Sequence, residues 1–200
     1  MGSELDELRC KMEVCTACSL HESRDKLVFG VGKTKNPVIM VLGEGPGEEE
    51  SKTGLPFIGK CGAKLDKIFK YIGVTRDEIY IANAVCCRPP NNRVPLMEEL
   101  DACRWRLHLQ IKLIQPQLLV ILGKSAMTTM LGQSFTGPLS QFFEDNWLEF
   151  NIDGQTFKGI CSYHPSFHLR SPDFSYKATL PHWTKVKHFI EAARNSADSL

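Results

Sequence analysis

Residues 40–60, MVLGEGPGEEESKTGLPFIGK, carry an apolar run into a glycine-rich turn. The run covers residues 38–42 and stops at Gly43-Glu44. A short continuous apolar run that stops at glycine reads as a strand buried on both faces. Three further runs repeat the pattern. Residues 79–85 contain Asn83 and stop at Cys86-Cys87, residues 118–122 stop at Gly123-Lys124-Ser125, and residues 159–163 stop at His164-Pro165-Ser166. Helical periodicity lies between them: Leu65, Ile68, Phe69 and Ile72 share a face, as do Leu100, Cys103, Leu107, Ile111 and Ile114. Trp183, Val186 and Ile190 predict a closing C-terminal helix, and residues 4–14 a short charged one; residues 91–95 and 136–145 read as loops. Strands alternating with helices predict an α/β fold with a parallel sheet covered on both faces. Ligands of such sheets lie beyond the carboxyl ends of the strands, where this chain places Glu44, Asn83, Lys124 and His164.

The turn does not suit phosphate. Glu44, Glu48, Glu49 and Glu50 would repel it, and Glu48 stands where a dinucleotide fingerprint needs its third glycine. Gly123-Lys124-Ser125 resembles the end of a P-loop, but Leu118 occupies the first glycine position. No G-x-S-x-G exists. Gly43, Gly45 and Gly47 let backbone approach a ligand closely. Among acidic neighbours, a flat neutral ligand fits better than an anion, with Phe57 as a stacking face. The residues alone equally allow Phe57 to be core and the glycines an ordinary turn.

With 200 residues, 42% apolar and 24% charged, the composition is that of one soluble domain. A net charge of +1 confines any basic footprint to a local patch such as Arg88, Arg93, Lys124 and Arg170. No apolar run reaches membrane-spanning length and Met1-Gly2-Ser3-Glu4 is not a signal peptide, so a cytoplasmic protein without a membrane partner is expected. Eight cysteines then point to metal ligation or reduced thiols. Cys15-x-x-Cys18 with Cys87 and Cys103 makes a four-thiolate set for zinc or an iron–sulfur cluster. Cys10, Cys15 and Cys18 make a competing ferredoxin-like triplet, Cys86 competes with Cys87, and Cys103 also fits a core stripe. Cys61 and Cys161 read as structural.

Together these pieces resemble the family 4 uracil-DNA glycosylases, the iron–sulfur branch of their superfamily. The resemblance spans nearly the whole chain: the Cys15/Cys18 arm, GEGPGEEE with TGLPFIGK, NAVCCRPPNNR, Cys103, and HPSFHLR. It implies a three-layer α/β/α sandwich around a parallel four-stranded sheet. One domain would cover residues 1–200, with an arm of residues 1–30 tied down by a [4Fe-4S] cluster on Cys15, Cys18, Cys87 and Cys103. The implied activity is monofunctional: hydrolysis of the N-glycosidic bond of uracil flipped out of DNA, which leaves an abasic site for base-excision repair. Gly43, Glu44, Gly45, Glu50, Phe57, Asn83 and His164 would bind uracil, with Glu44 and His164 catalytic. Phe57 would stack on the base, Asn83 would read its Watson–Crick edge, and Glu50 would close the pocket against a thymine methyl. Gly45 stands where another branch carries an aspartate that handles the attacking water; Glu44, Asn92 or backbone would take over that task. Lys124, Ser125, Ser166, Phe167, His168, Leu169 and Arg170 would contact DNA, with Phe167, His168 or Leu169 filling the gap left by the base. A monomer acting on single- or double-stranded uracil-DNA at the nucleoid is expected.

Three other readings stand beside this one. A branch of the superfamily captures uracil-DNA covalently through a histidine in an inserted loop, and residues 88–95 here hold neither insertion nor histidine. A polymerase-associated scaffold would not need the set Glu44, Phe57, Asn83 and His164. An electron carrier would use the Cys10 triplet.

Overall fold

The computed structural model describes residues 3–143, 147–170 and 172–197. Strands β1 (Val31–Gly32), β2 (Met40–Gly43), β3 (Tyr80–Asn83), β4 (Leu119–Leu122), β5 (Leu148–Ile152) and β6 (Gln155–Ser162) form one sheet in the order β1-β3-β2-β4-β6-β5. The four central strands are parallel, as expected; β1 on β3 and β5 on β6 add antiparallel edges. The sheet is therefore mixed and six-stranded, where four parallel strands were expected.

Period-2 alternation sends each central strand's side chains into two different cores. Met40, Leu42, Tyr80, Ala82, Leu119, Ile121 and Cys161 face one helix layer. That layer consists of α1 (Glu4–Glu13), α4 (Met97–Ile114) and α5 (Lys124–Leu131). Ile39, Val41, Ile79, Ile81, Val120, Leu122 and Ile160 face α3 (Lys60–Ile72) and α7 (Pro172–Ala197). These are the three layers of the expected sandwich. Among the described residues no helix is long and apolar enough to cross a membrane.

The β5–β6 hairpin turns on Asp153-Gly154, both at positive φ (48° and 84°), which is the geometry of a type I′ turn. Its Asp-Gly signal is present in the sequence, but a single 159–163 strand absorbed it. Two segments expected to be loops contain short 3-10 turns, Pro90–Asn92 and Leu139–Phe142. Asn91 and Asn92 take the left-handed conformation there (φ 54° and 55°), which asparagine tolerates. Residues 166–170, expected as a DNA-entering loop, lie in a short helix, α6 (Pro165–Arg170). Pro165 presets the first helical φ, and the Phe167 N–H closes the turn on the His164 carbonyl oxygen at 2.9 Å.

Candidate active site

The carboxyl ends of β2, β3 and β6 converge on a cavity of about 690 Å³. Glu44, Gly45, Glu50, Phe57, Asn83, His164 and Ser166 all line it. Gly43 lies behind the wall, opposite Asn83 in the β2–β3 register. A Cβ at Gly43 would stand 2.4 Å from Asn83 Oδ1 and 2.4 Å from Phe57 Cζ, so only glycine lets these two side chains meet. At Gly45 a Cβ would stand 2.8 Å from Val85 Cγ2. An aspartate there would require the loop to shift.

Asn83 is 2% exposed, and its Oδ1 has no hydrogen-bond partner. A buried acceptor without a donor is costly in a folded protein and rare outside functional sites. Phe57 is buried with φ at 53°, a conformation that costs a non-glycine residue of order 1–3 kcal/mol and persists only where neighbours enforce it. Three groups enforce it here. Arg76 donates to the Pro56 and Phe57 carbonyl oxygens at 3.2 and 2.5 Å. Glu50, in the short helix α2 (Glu48–Thr53), accepts the backbone N–H groups of Gly47, Ile58 and Gly59 at 3.2, 2.9 and 2.8 Å. Gly62 leaves no room for a side chain, since a Cβ would overlap the Phe57 carbonyl. The carboxylate of Glu50 thus ties the glycine loop to the Phe57 loop. Glu50→Gln turns one acceptor into a donor facing these N–H groups. It is expected to lower melting temperature and to reduce kcat/KM about tenfold through displacement of Phe57. Calorimetry and single-turnover kinetics check both.

The Phe57 and His164 ring centroids are 5.6 Å apart at 37°. The Ser166 N–H donates to His164 Nδ1 at 3.2 Å and the Ser166 hydroxyl lies 3.0 Å from the same nitrogen. Nδ1 is therefore an acceptor, and a neutral His164 carries its proton on Nε2. Ser125, nearly buried at the start of α5, donates from Oγ to Glu44 Oε2 at 2.5 Å. Arg93, on the cavity wall, forks onto the fully buried Glu99 at 2.8 and 2.6 Å. That hydrogen-bonded guanidinium holds the Glu99 carboxyl below its usual range.

Cys15 and Cys18 are half-buried and pack on the core that contains Cys86, Cys87 and Cys103. Electrostatic interactions connect Cys18 with Cys87 and Cys103, and Cys87 with Cys15 and Cys103. Arg24 lies 3.4 Å from Cys87 Sγ and Arg106 lies 3.4 Å from Cys103 Sγ. Burial raises the Cys18 and Cys87 thiols, while a hydrogen bond from Cys86 holds Cys103 well below the ordinary range. Cys10 is exposed on α1. Among the described residues no three His, Cys, Asp or Glu side chains converge as ligands of one ion would.

A family model described as the uracil DNA glycosylase superfamily matches residues 29–187. The chain is 38% identical over 183 residues to the type-4 uracil-DNA glycosylase of Thermotoga maritima, covering 90% of this chain and 92% of that one. This chain belongs to the type-4 uracil-DNA glycosylase family. It is also 35% identical over 171 residues to the Archaeoglobus fulgidus type-4 protein, covering 84% of each. A protein named DNA polymerase from Bacillus phage SP01 shares 25% identity over 175 residues, or 17% of its own length.

Within this glycosylase fold the residues expected to touch DNA separate into groups. Ser166 lines the cavity. Ser125 supports Glu44 from outside it. Lys124 is exposed with Nζ 5.0 Å over the Phe135 ring, Phe167 stacks on Tyr163 at 4.4 Å, and Leu169 is 42% exposed. The side chains of His168 and Arg170 lie outside the described residues. Cys61, read as structural, is on the cavity wall beside Lys60, as are Asn92 and Arg93. The fork to Glu99 joins two parts of the 93–99 turn that carry no shared motif, so Arg93 read only as a basic surface residue.

Proposed function

We propose that this chain is a monofunctional glycosylase that hydrolyses the N-glycosidic bond of uracil flipped from single- or double-stranded DNA, the opening step of base-excision repair. The carrying observation is the orphaned Oδ1 of Asn83 inside a cavity walled by Phe57 and His164. Uracil offers an N3–H donor beside its O4 acceptor, the complement of a carboxamide. Cytosine offers the reverse pair and leaves both amide groups opposed to like partners, a mismatch that a buried site rejects strongly.

Extrusion of the base costs a few kcal/mol of stacking. Leu169, exposed on the helix that carries Ser166, fills the gap, while Ser166 and Lys124 meet DNA. Phe57 stacks on the extruded ring, and the loop held by Glu50 bars a thymine methyl. As the C1′–N1 bond lengthens, negative charge grows on uracil and positive charge on the sugar. His164 donates from Nε2 to O2, where that charge accumulates. Glu44, with Ser125 on one oxygen, stabilises the cationic sugar and orients the attacking water with Asn92. One chain supplies every group, which suits a monomer working at the nucleoid in the cytoplasm.

The cysteine set fits a [4Fe-4S] cluster held by Cys15, Cys18, Cys87 and Cys103: four neighbouring thiols, two beside arginines, join the arm of residues 1–30 to the rest of a single domain. A cluster takes its thiolates at separate irons rather than around one ion. When bound it supplies a cross-link between arm and domain. Cys15→Ser is expected to lose iron and about 10 °C of melting temperature, the shift that roughly 3–4 kcal/mol produces in a chain of this size. Cys10→Ser keeps both. Iron analysis and calorimetry decide, and iron loss from Cys10→Ser would restore the ferredoxin-like triplet.

The activity test uses end-labelled oligonucleotides with one uracil, cytosine or thymine, incubated without added metal and then cut with alkali. Scission at uracil alone supports the proposal. Absence of scission from iron-loaded protein contradicts it; a stable gel shift would then mark a binding module.

A further inference from the structure

Arg106 lies on α4 with 0% exposure, on the same stripe as Cys103 and Gln110. Its Nη2 donates to the Asn83 and Ala84 carbonyl oxygens at 3.0 Å each and lies 3.4 Å from Cys103 Sγ. Its Nη1 donates to Gln110 Oε1 at 2.6 Å. Gln110 is itself fixed, since its Nε2 donates to the Phe29 carbonyl oxygen at 3.0 Å and to Tyr80 Oη at 3.3 Å. None of these partners is a carboxylate. A guanidinium withdrawn from water without an opposing charge is strongly unfavourable. The nearest group able to carry an opposing charge is Cys103 Sγ at 3.4 Å, which is a thiolate when it binds iron.

We propose that Arg106 is a positioning residue that couples the cysteine centre to base recognition. One nitrogen neutralises the Cys103 thiolate and clamps the backbone at the end of β3, from which the Asn83 amide projects into the cavity. This rests on the uracil reading of that cavity. The clamp holds Asn83 through its own carbonyl and the next one, leaving the side chain for the base. Lysine in this place keeps the charge, but a single ammonium cannot span Cys103, both carbonyls and Gln110 in the fixed planar geometry of a guanidinium.

The test compares wild type, Arg106→Lys, Arg106→Gln and Gln110→Leu. Three quantities are read: iron per chain, melting temperature, and binding to an oligonucleotide carrying uncleavable 2′-fluoro-deoxyuridine against one with cytosine there. Arg106→Lys is expected to keep its iron and lose about tenfold of the preference for uracil. Gln110→Leu, which removes the brace and touches neither Asn83 nor a cysteine, is expected to lose a few-fold with iron intact. Arg106→Gln is expected to lose iron as well. Wild-type preference in both Arg106→Lys and Gln110→Leu at full iron content overturns the coupling. If Arg106→Gln fails to fold, those two variants still decide. A wild-type protein without preference for uracil overturns the site reading, and the coupling with it.

Discussion

Asn83→Ala is expected to lower kcat/KM for uracil excision by about 10²–10³-fold while leaving melting temperature unchanged or slightly raised. The loss corresponds to about 3–4 kcal/mol, the worth of two hydrogen bonds to a buried base edge. The stability half of the expectation separates a recognition residue from a structural one. In the free protein Oδ1 has no partner, so its removal breaks no internal hydrogen bond and relieves a desolvated acceptor. A structural asparagine would behave oppositely, with stability falling alongside activity. Single-turnover rates on uracil oligonucleotides, read with calorimetry of the same preparations, check both halves.

His164→Ala is expected to lower kcat about 10²–10³-fold and to change KM little, because charge on uracil O2 develops only as the glycosidic bond breaks. The geometry supports a donor role for Nε2 specifically. Nδ1 is committed to the Ser166 N–H at 3.2 Å, and that contact survives any change of the Ser166 side chain. A large rise in KM with kcat unchanged would instead place His164 in ground-state binding. The measurement is the kcat against KM split across substrate concentrations in excess of enzyme.

Much of this site is legible in the sequence because chemistry and topology coincide. The runs that stop at Gly43-Glu44 and His164, and the one that contains Asn83, are otherwise apolar on both faces, so their first polar residue marks the sheet's carboxyl edge. The sequence marks Gly43 as a point of close approach, and the structure supplies the reason: a Cβ there would meet both Asn83 and Phe57. Other parts are hidden for definable reasons. The resemblance alone puts Glu50 at the pocket, and its part as a tie between two loops is hidden, because its three backbone donors come from loops whose approach depends on the tertiary fold. Arg106 lies in the run CRWRLHL, where a charge next to Leu107 reads as the edge of an amphipathic face. Its spacing to Cys103 and Gln110 along one face is the signal the sequence offers. The β5–β6 hairpin was recoverable from Asp153-Gly154, whereas α6 was masked by its likeness to a loop.

A crystal structure of the protein with uracil bound shows whether the orphaned Oδ1 of Asn83 receives the N3–H of the base. The base is expected to stack on Phe57, with Asn83 Oδ1 within about 2.7–3.2 Å of N3 and Nδ2 equally near O4. Uracil bound elsewhere, or bound in the cavity with its Watson–Crick edge turned away from Asn83, would contradict it.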